Sequence, residues 1–198
     1  MKKTTDSIKI VVTIGLMLTL LQACQNTKKV VANSWLLNPD YSSLSIITTK
    51  NDSVSEVSEF QKIKGSINAS LYMSIEIDLN SLETHIPIRN ERIKKHLFNT
   101  AVFPTADIHT QLKAEDLTAG VHSLTFDVDL NGVSGIMQGE FMVFDSDGTK
   151  VVTLHKPLII QAKDFALEAG ITALRKIAKL QSIDFTVPVH LVLTFEKH

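Results

Sequence analysis

The stretch SINASLYMSIEIDL, residues 66–79, alternates without a break. Its odd positions are Ile67, Ala69, Leu71, Met73, Ile75, Ile77 and Leu79, and its even ones are Ser66, Asn68, Ser70, Tyr72, Ser74, Glu76 and Asp78. A period of two places one set on a dry face and the other on a wet face, which is the geometry of a strand and not of a helix. The segment reads as one long strand. The C-terminal IDFTVPVHLVLTF repeats the pattern, with Ile183, Phe185, Val187, Val189, Leu191, Leu193 and Phe195 on one side. Pro188 stands on the other side and, lacking an N–H, marks an edge or a bulge.

Between these runs, HSLTFDVDL and VSGIMQGEFMVF flank Asn131-Gly132. Asn-Gly between alternating segments is a strong hairpin signal, because both turn residues must tolerate positive φ. Asp145-Ser146-Asp147-Gly148 marks a second hairpin leading into KVVTLHKPLII, while SLSIITTK and EFQKIKG form an earlier, less regular pair. The expectation is a mainly β, antiparallel, roughly eight-stranded barrel or sandwich.

Two segments depart from the pattern. Residues 89–98 place Ile93 and Leu97 four apart with Phe98 beside them, on a basic background. That is a short amphipathic helix, read here as a lid across one barrel end, with Lys94, Lys95 and His96 facing water. Residues 163–181 align Leu167, Ile171, Leu174 and Ala178 on one helical stripe. Asp164 is the expected N-cap, and Gly170 is expected to divide the segment into two short helices.

The N-terminus carries Lys2, Lys3 and Lys9, followed by an apolar run over residues 10–21 and then Leu21-Gln22-Ala23-Cys24. A basic start and a short apolar core are the pattern of a signal peptide, and the run is short for a spanning helix. Leu, a small residue and Cys in this spacing resemble a lipobox. Cys24 is the single cysteine of the chain, so it cannot form an internal disulfide, and acylation accounts for it. The expected organisation is a signal peptide over 1–23, a lipidated tether over 24–33 and one domain over 34–198. Gln25 after the cysteine resembles outer-membrane sorting, which implies the envelope of a Gram-negative bacterium and a domain facing the periplasm. Removing residues 1–23 takes the formal charge from −1 to −3, which does not suggest nucleic acid as a partner.

Catalytic patterns are missing. The histidines at 85, 96, 109, 122, 155, 190 and 198 form no H-E-x-x-H or His/Cys cluster, so no zinc site is assigned. Asp145-x-Asp147-Gly148 lacks the later glutamate of a calcium loop. Glu76 and Asp78 lie on the wet face and read as solvated. The chain reads as a non-enzyme with no catalytic or metal-binding residues.

Several motifs carry a resemblance. They are Trp35 ahead of YSSLSI, the Lys50-Asn51, Ser53-Val54, Glu56-Val57 and Phe60 pattern, and Gly65 leading the long alternation. Ser81, Leu82, Thr84, Arg89, Asn90, Leu97, Phe98, Phe103 and Pro104 complete the set. Together these are similar to the YceI family. Asp164-Phe165-Ala166 stands loosely where many members have Arg-x-Asp-Phe-Gly. The resemblance implies a lipocalin-like antiparallel barrel holding a polyisoprenoid or other long-chain amphiphile, such as a quinone or a prenyl phosphate. The expected binding positions are Leu71, Met73, Ile75, Ile77, Phe98, Phe126, Val128, Phe141, Val187, Leu191 and Leu193. Arg89 is placed at the mouth, meeting either a polar head group or a carboxylate such as Asp107. An aliphatic, Met-containing lining suits a flexible hydrocarbon. The same residues also suit a filled core, in which case the domain is an envelope interaction module. A homodimer is compatible with either reading.

Overall fold

The computed structural model describes residues 34–198. The lipobox, Cys24 and the tether lie outside the described residues. The described residues form twelve β segments: β1 (Trp35–Leu37), β2 (Ser43–Lys50), β3 (Val54–Phe60), β4 (Ile63–Ile67), β5 (Tyr72–Asp78), β6 (Leu82–Glu83), β7 (Thr105–Gln111), β8 (Gly120–Leu130), β9 (Val133–Ser146), β10 (Thr149–Leu154), β11 (Leu158–Gln161) and β12 (Thr186–Lys197). Among the described residues two α-helices, α1 (Pro87–Ile93) and α2 (Glu168–Ala178), interrupt the series.

Every pairing is antiparallel. β1 pairs with both β4 and β12, which closes the ring β1-β4-β5-β7-β8-β9-β10-β12. β2 and β3 continue the staves begun by β1 and β4, and β11 continues β10 along β12. Three of the eight staves are therefore bent, over residues 35–50, 54–67 and 149–161. The fold is the expected eight-stave barrel, and the two short helices, expected at its ends, pack together at one end.

The long strand expected over 66–79 is instead a hairpin. Ile67 pairs with Met73, and residues 68–71 turn between them. The Asn68 side-chain oxygen accepts from the Ser70 and Tyr72 amides, each at 3.0 Å, and Leu71 takes φ 64°. In this register each residue pairs with one of the same parity. The odd positions thus stay inward on both arms, and alternation alone cannot reveal the turn. The Asn131-Gly132 turn forms as expected, with φ 54° and 75°. Gly132 is required twice, since a Cβ there would also lie 2.7 Å from Phe103 Cε1. At Pro188, the pairing of β12 with β2 stops one residue away, at Val189, in keeping with an edge.

The second helical segment differs from expectation. A 3-10 turn over Ala162–Phe165 ends at Ala166, which is left-handed at φ 53°, and α2 then runs unbroken through Gly170. Asp164 caps neither helix; it lies within the 3-10 turn. Gly170 serves close approach, because a Cβ there would sit 2.7 Å from the His96 carbonyl oxygen and 2.9 Å from Leu97 Cα. α1 begins with Pro87 at its first turn, as φ restriction favours, and extends through a π-helical turn, Lys94–Phe98, to left-handed Asn99.

Candidate functional site

The inward faces of the staves surround a cavity of ≈ 460 Å³. Met73, Ile75 and Ile77 of β5, Phe126 and Val128 of β8, Phe141 of β9, and Val187, Leu191 and Leu193 of β12 line it. So do Phe98 and Arg89 from the helical lid. Leu71 does not. Its positive φ places it in the hairpin turn, where its backbone, bonded to Asn68 and Leu112, sets its position.

Further lining comes from positions not assigned from the sequence: Leu44 and Ile46 of β2, Phe60 of β3, and Phe195 of β12. Leu44 and Ile46 follow the alternation of SLSIITTK, and Phe195 continues that of the C-terminal run. The α2 stripe Leu167, Ile171, Leu174 and Ala178 also faces the cavity. Its period was visible, but only the tertiary fold says what the stripe covers.

The two cavity ends differ. At the end nearest the start of β1, Phe195 and Leu112 are buried, and the Lys150 ammonium lies 4.5 Å from the centre of the Trp35 ring. That ammonium also donates to the Leu117 carbonyl at 2.7 Å and meets Asp145 at 2.9 Å. A carbonyl, a carboxylate and an aromatic face thus hold the ammonium in place, and Lys150 closes this end of the barrel.

At the other end the inward positions turn polar: Thr48 and Lys50 on β2, Glu56 and Ser58 on β3. Glu56 Oε2 accepts from Lys50 Nζ and from Arg89 Nη1, both at 2.6 Å, and Oε1 accepts from Arg89 Nη2 at 3.3 Å. The hydrogen bond from Lys50, and then the one from Arg89, hold the Glu56 carboxylate below the usual glutamate range. The three side chains are 25–31 % exposed, so this cluster is reached by water. Asp107 is not the partner of Arg89; it lies on the outer face of β7 and accepts from Thr105 at 3.0 Å. Ile88, 58 % exposed, lines the cavity as well, which locates the opening beside α1.

The conspicuous polar motif before the lid is a latch. Ser81 Oγ accepts from the Lys62 amide at 3.0 Å and donates to the Asp78 carbonyl at 2.6 Å. Buried Asn90 accepts from the Thr84 amide at 3.0 Å and hydroxyl at 2.6 Å, and donates to Glu83 at 3.0 Å. Asn90 and then the His85 amide hold Glu83 below the usual range. These bonds fix α1 to the barrel rim, and Phe98 packs inward against Phe60 at 6.4 Å. Glu76 pairs with Lys64 at 3.0 Å outside the barrel. Among the described residues no three His, Cys, Asp or Glu side chains are grouped to hold a metal.

Comparison with known proteins matches this architecture. The model of the YceI-like domain matches residues 35–195. A polyisoprenoid-binding domain from Saccharophagus degradans, implicated in plant cell wall breakdown, is 32 % identical. The match covers 84 % of this chain and 99 % of that one, with TM-score 0.79. Burkholderia cenocepacia BcnA shares the fold at 14 % identity, with 80 % of this chain and 98 % of that one covered and TM-score 0.62. A Campylobacter jejuni YceI protein shares it at 13 % identity, with 71 % and 84 % covered and TM-score 0.52. No curated protein matches.

Proposed function

This chain belongs to the YceI-like domain family, and from that premise we propose that it is a binding protein holding a polyisoprenoid or similar long-chain amphiphile in its barrel. The observation that carries this reading is a cavity of ≈ 460 Å³ whose depth is apolar and whose lid end, just inside the opening, carries a cluster of polar and charged side chains. That size and chemistry fall within the range of small-ligand sites. A hydrocarbon tail fits between Phe60, Phe126, Phe141 and Ile75, and an oxygen-bearing head group meets Thr48, Ser58 and the Lys50–Glu56–Arg89 cluster. The kinship to a polyisoprenoid-binding domain at 32 % identity supports the tail class. A quinone and a prenyl phosphate both satisfy this description.

We further propose that Cys24 is acylated and tethers the barrel to the envelope of a Gram-negative bacterium, at the outer membrane facing the periplasm. The lone cysteine after Leu21-Gln22-Ala23 supports this. Native mass spectrometry of protein extracted from its own membrane tests both parts at once. A polypeptide beginning at residue 24 with added acyl mass is expected, together with a dissociable apolar ligand. Protein that consistently carries no ligand overturns the binding reading, and an unmodified Cys24 overturns the anchor.

A further inference from the structure

We propose that the lid end of the barrel is a docking surface for anionic lipid bilayers, through which the cavity exchanges its ligand. This rests on the reading of the cavity as a site for a membrane-resident amphiphile. Two observations carry it. The rim of the opening is apolar and exposed: Ile86 is 42 % and Ile88 58 % exposed, and both also line the cavity. An amphiphile crossing that rim against a bilayer never presents its tail to water, which hydrophobic transfer strongly disfavours.

The second observation is charge. Residues 87–98 and 168–179, the two lid helices with their terminal turns, carry seven basic and two acidic side chains, in a chain whose formal charge is −1. The helices cross the same end, packed at Gly170 against His96 and Leu97. Their apolar stripes face the cavity, so their polar faces point outward. Lys95, Arg175, Lys176 and Lys179 are exposed and have no ion-pair partner among the described residues. Of the carboxylates at this end, Glu56 is paired with Lys50 and Arg89 and Glu91 with Lys94, while Glu83 and Asp52 accept only from neutral groups and keep their charge. Glu59, Asp164, Glu168 and Asp184 are exposed as well, yet the two helical segments with Glu91 and Glu168 counted still carry an excess of five positive charges. An apolar rim inside a basic belt suits the interface of an anionic membrane, where each basic side chain adds attraction.

The test uses the full chain with a tryptophan placed at Ile88→Trp, and vesicles of equimolar phosphatidylglycerol and phosphatidylcholine with brominated acyl chains. Ile136→Trp is the control, since Ile136 is 76 % exposed on the barrel wall opposite Asp127. The wild type supplies the background from Trp35. Bromine quenching several-fold greater at Ile88→Trp than at Ile136→Trp is expected. It should be lost with phosphatidylcholine alone, in about 1 M salt where the Debye length is about 3 Å, or with Lys95→Gln, Arg175→Gln and Lys176→Gln combined. Equal quenching at both positions overturns the proposal, as does none at Ile88→Trp, which would leave a protein partner for this surface. Quenching that persists on phosphatidylcholine overturns the anionic specificity. The readout does not depend on whether the cavity is loaded, so its failure is distinct from a failure of the ligand reading.

Discussion

Ala166 shows how one backbone angle carries information that a side chain hides. It sits in the left-handed region at φ 53°, ψ 31°, closing the turn before α2. For a residue with a Cβ that conformation costs roughly 1–2 kcal/mol, and glycine is the residue that relieves it. Ala166→Gly is therefore expected to stabilise the domain by about 0.5–1 kcal/mol net of glycine's greater unfolded-state entropy, read as a higher denaturation midpoint at unchanged slope. Glu56 carries a second residue-scale expectation. Its folded pKa is depressed by Lys50 and Arg89, so its contribution to stability is complete above the ordinary glutamate range and disappears as pH falls through the lowered value. Glu56→Gln is expected to cost roughly 1 kcal/mol at neutral pH, as for a partly exposed pair. Denaturation of both proteins along a pH series checks this: the gap between them should close in acid, and a gap that widens there contradicts the assignment.

At the scale of elements, the lid depends on two helices lying close together. Gly170→Ala would gain about 1 kcal/mol of helix propensity, but its methyl would meet the backbone of His96 and Leu97 at 2.7–2.9 Å. Backbone yields less readily than side chain, so overpacking of about 1–3 kcal/mol should win. The expected net effect is destabilisation, with hydrogen exchange rising in α1 and α2 before it rises in β7–β9. His96→Ala, on the exposed side of the same contact, is expected to change stability by less than about 0.5 kcal/mol. A loss of ligand binding in His96→Ala at unchanged stability would instead assign that imidazole a functional role.

For the whole molecule, the decisive property is that the barrel is hollow. Ile75 is buried at mid-barrel and lines the cavity. In a hollow barrel an indole at this position has space to occupy, so Ile75→Trp should leave the fold within about 1 kcal/mol of wild type while displacing the ligand. In a core packed to normal density the same change would overpack it by about 1–3 kcal/mol. Thermal denaturation of the delipidated variant, paired with the lipid copurifying with the wild type, separates the two cases. A strongly destabilised variant and a wild type free of lipid would favour the filled barrel and an interaction module.

The sequence by itself determined the inward face of the staves over 66–79 and 183–195 and of the central hairpin, the Asn131-Gly132 turn and the apolar stripes of both lid helices, because these are local and periodic properties. It did not reveal the turn at residues 68–71. A hairpin whose partners keep the same parity leaves the alternation intact, so a folded pair and a single strand look alike. Nor did it identify the partner of Arg89. Glu56 lies 33 positions away in the chain and reaches Arg89 only because the β2–β3 hairpin and α1 meet at one rim. The absence of Leu71 from the cavity and the service of Gly170 as a contact rather than a break have the same origin. Both follow from how elements approach in space: backbone sterics at a turn in one case, and the distance between two helices in the other. The hollowness of the barrel is likewise a tertiary property, since identical inward residues line a cavity or fill a core according to how far apart the closed ring of staves holds them.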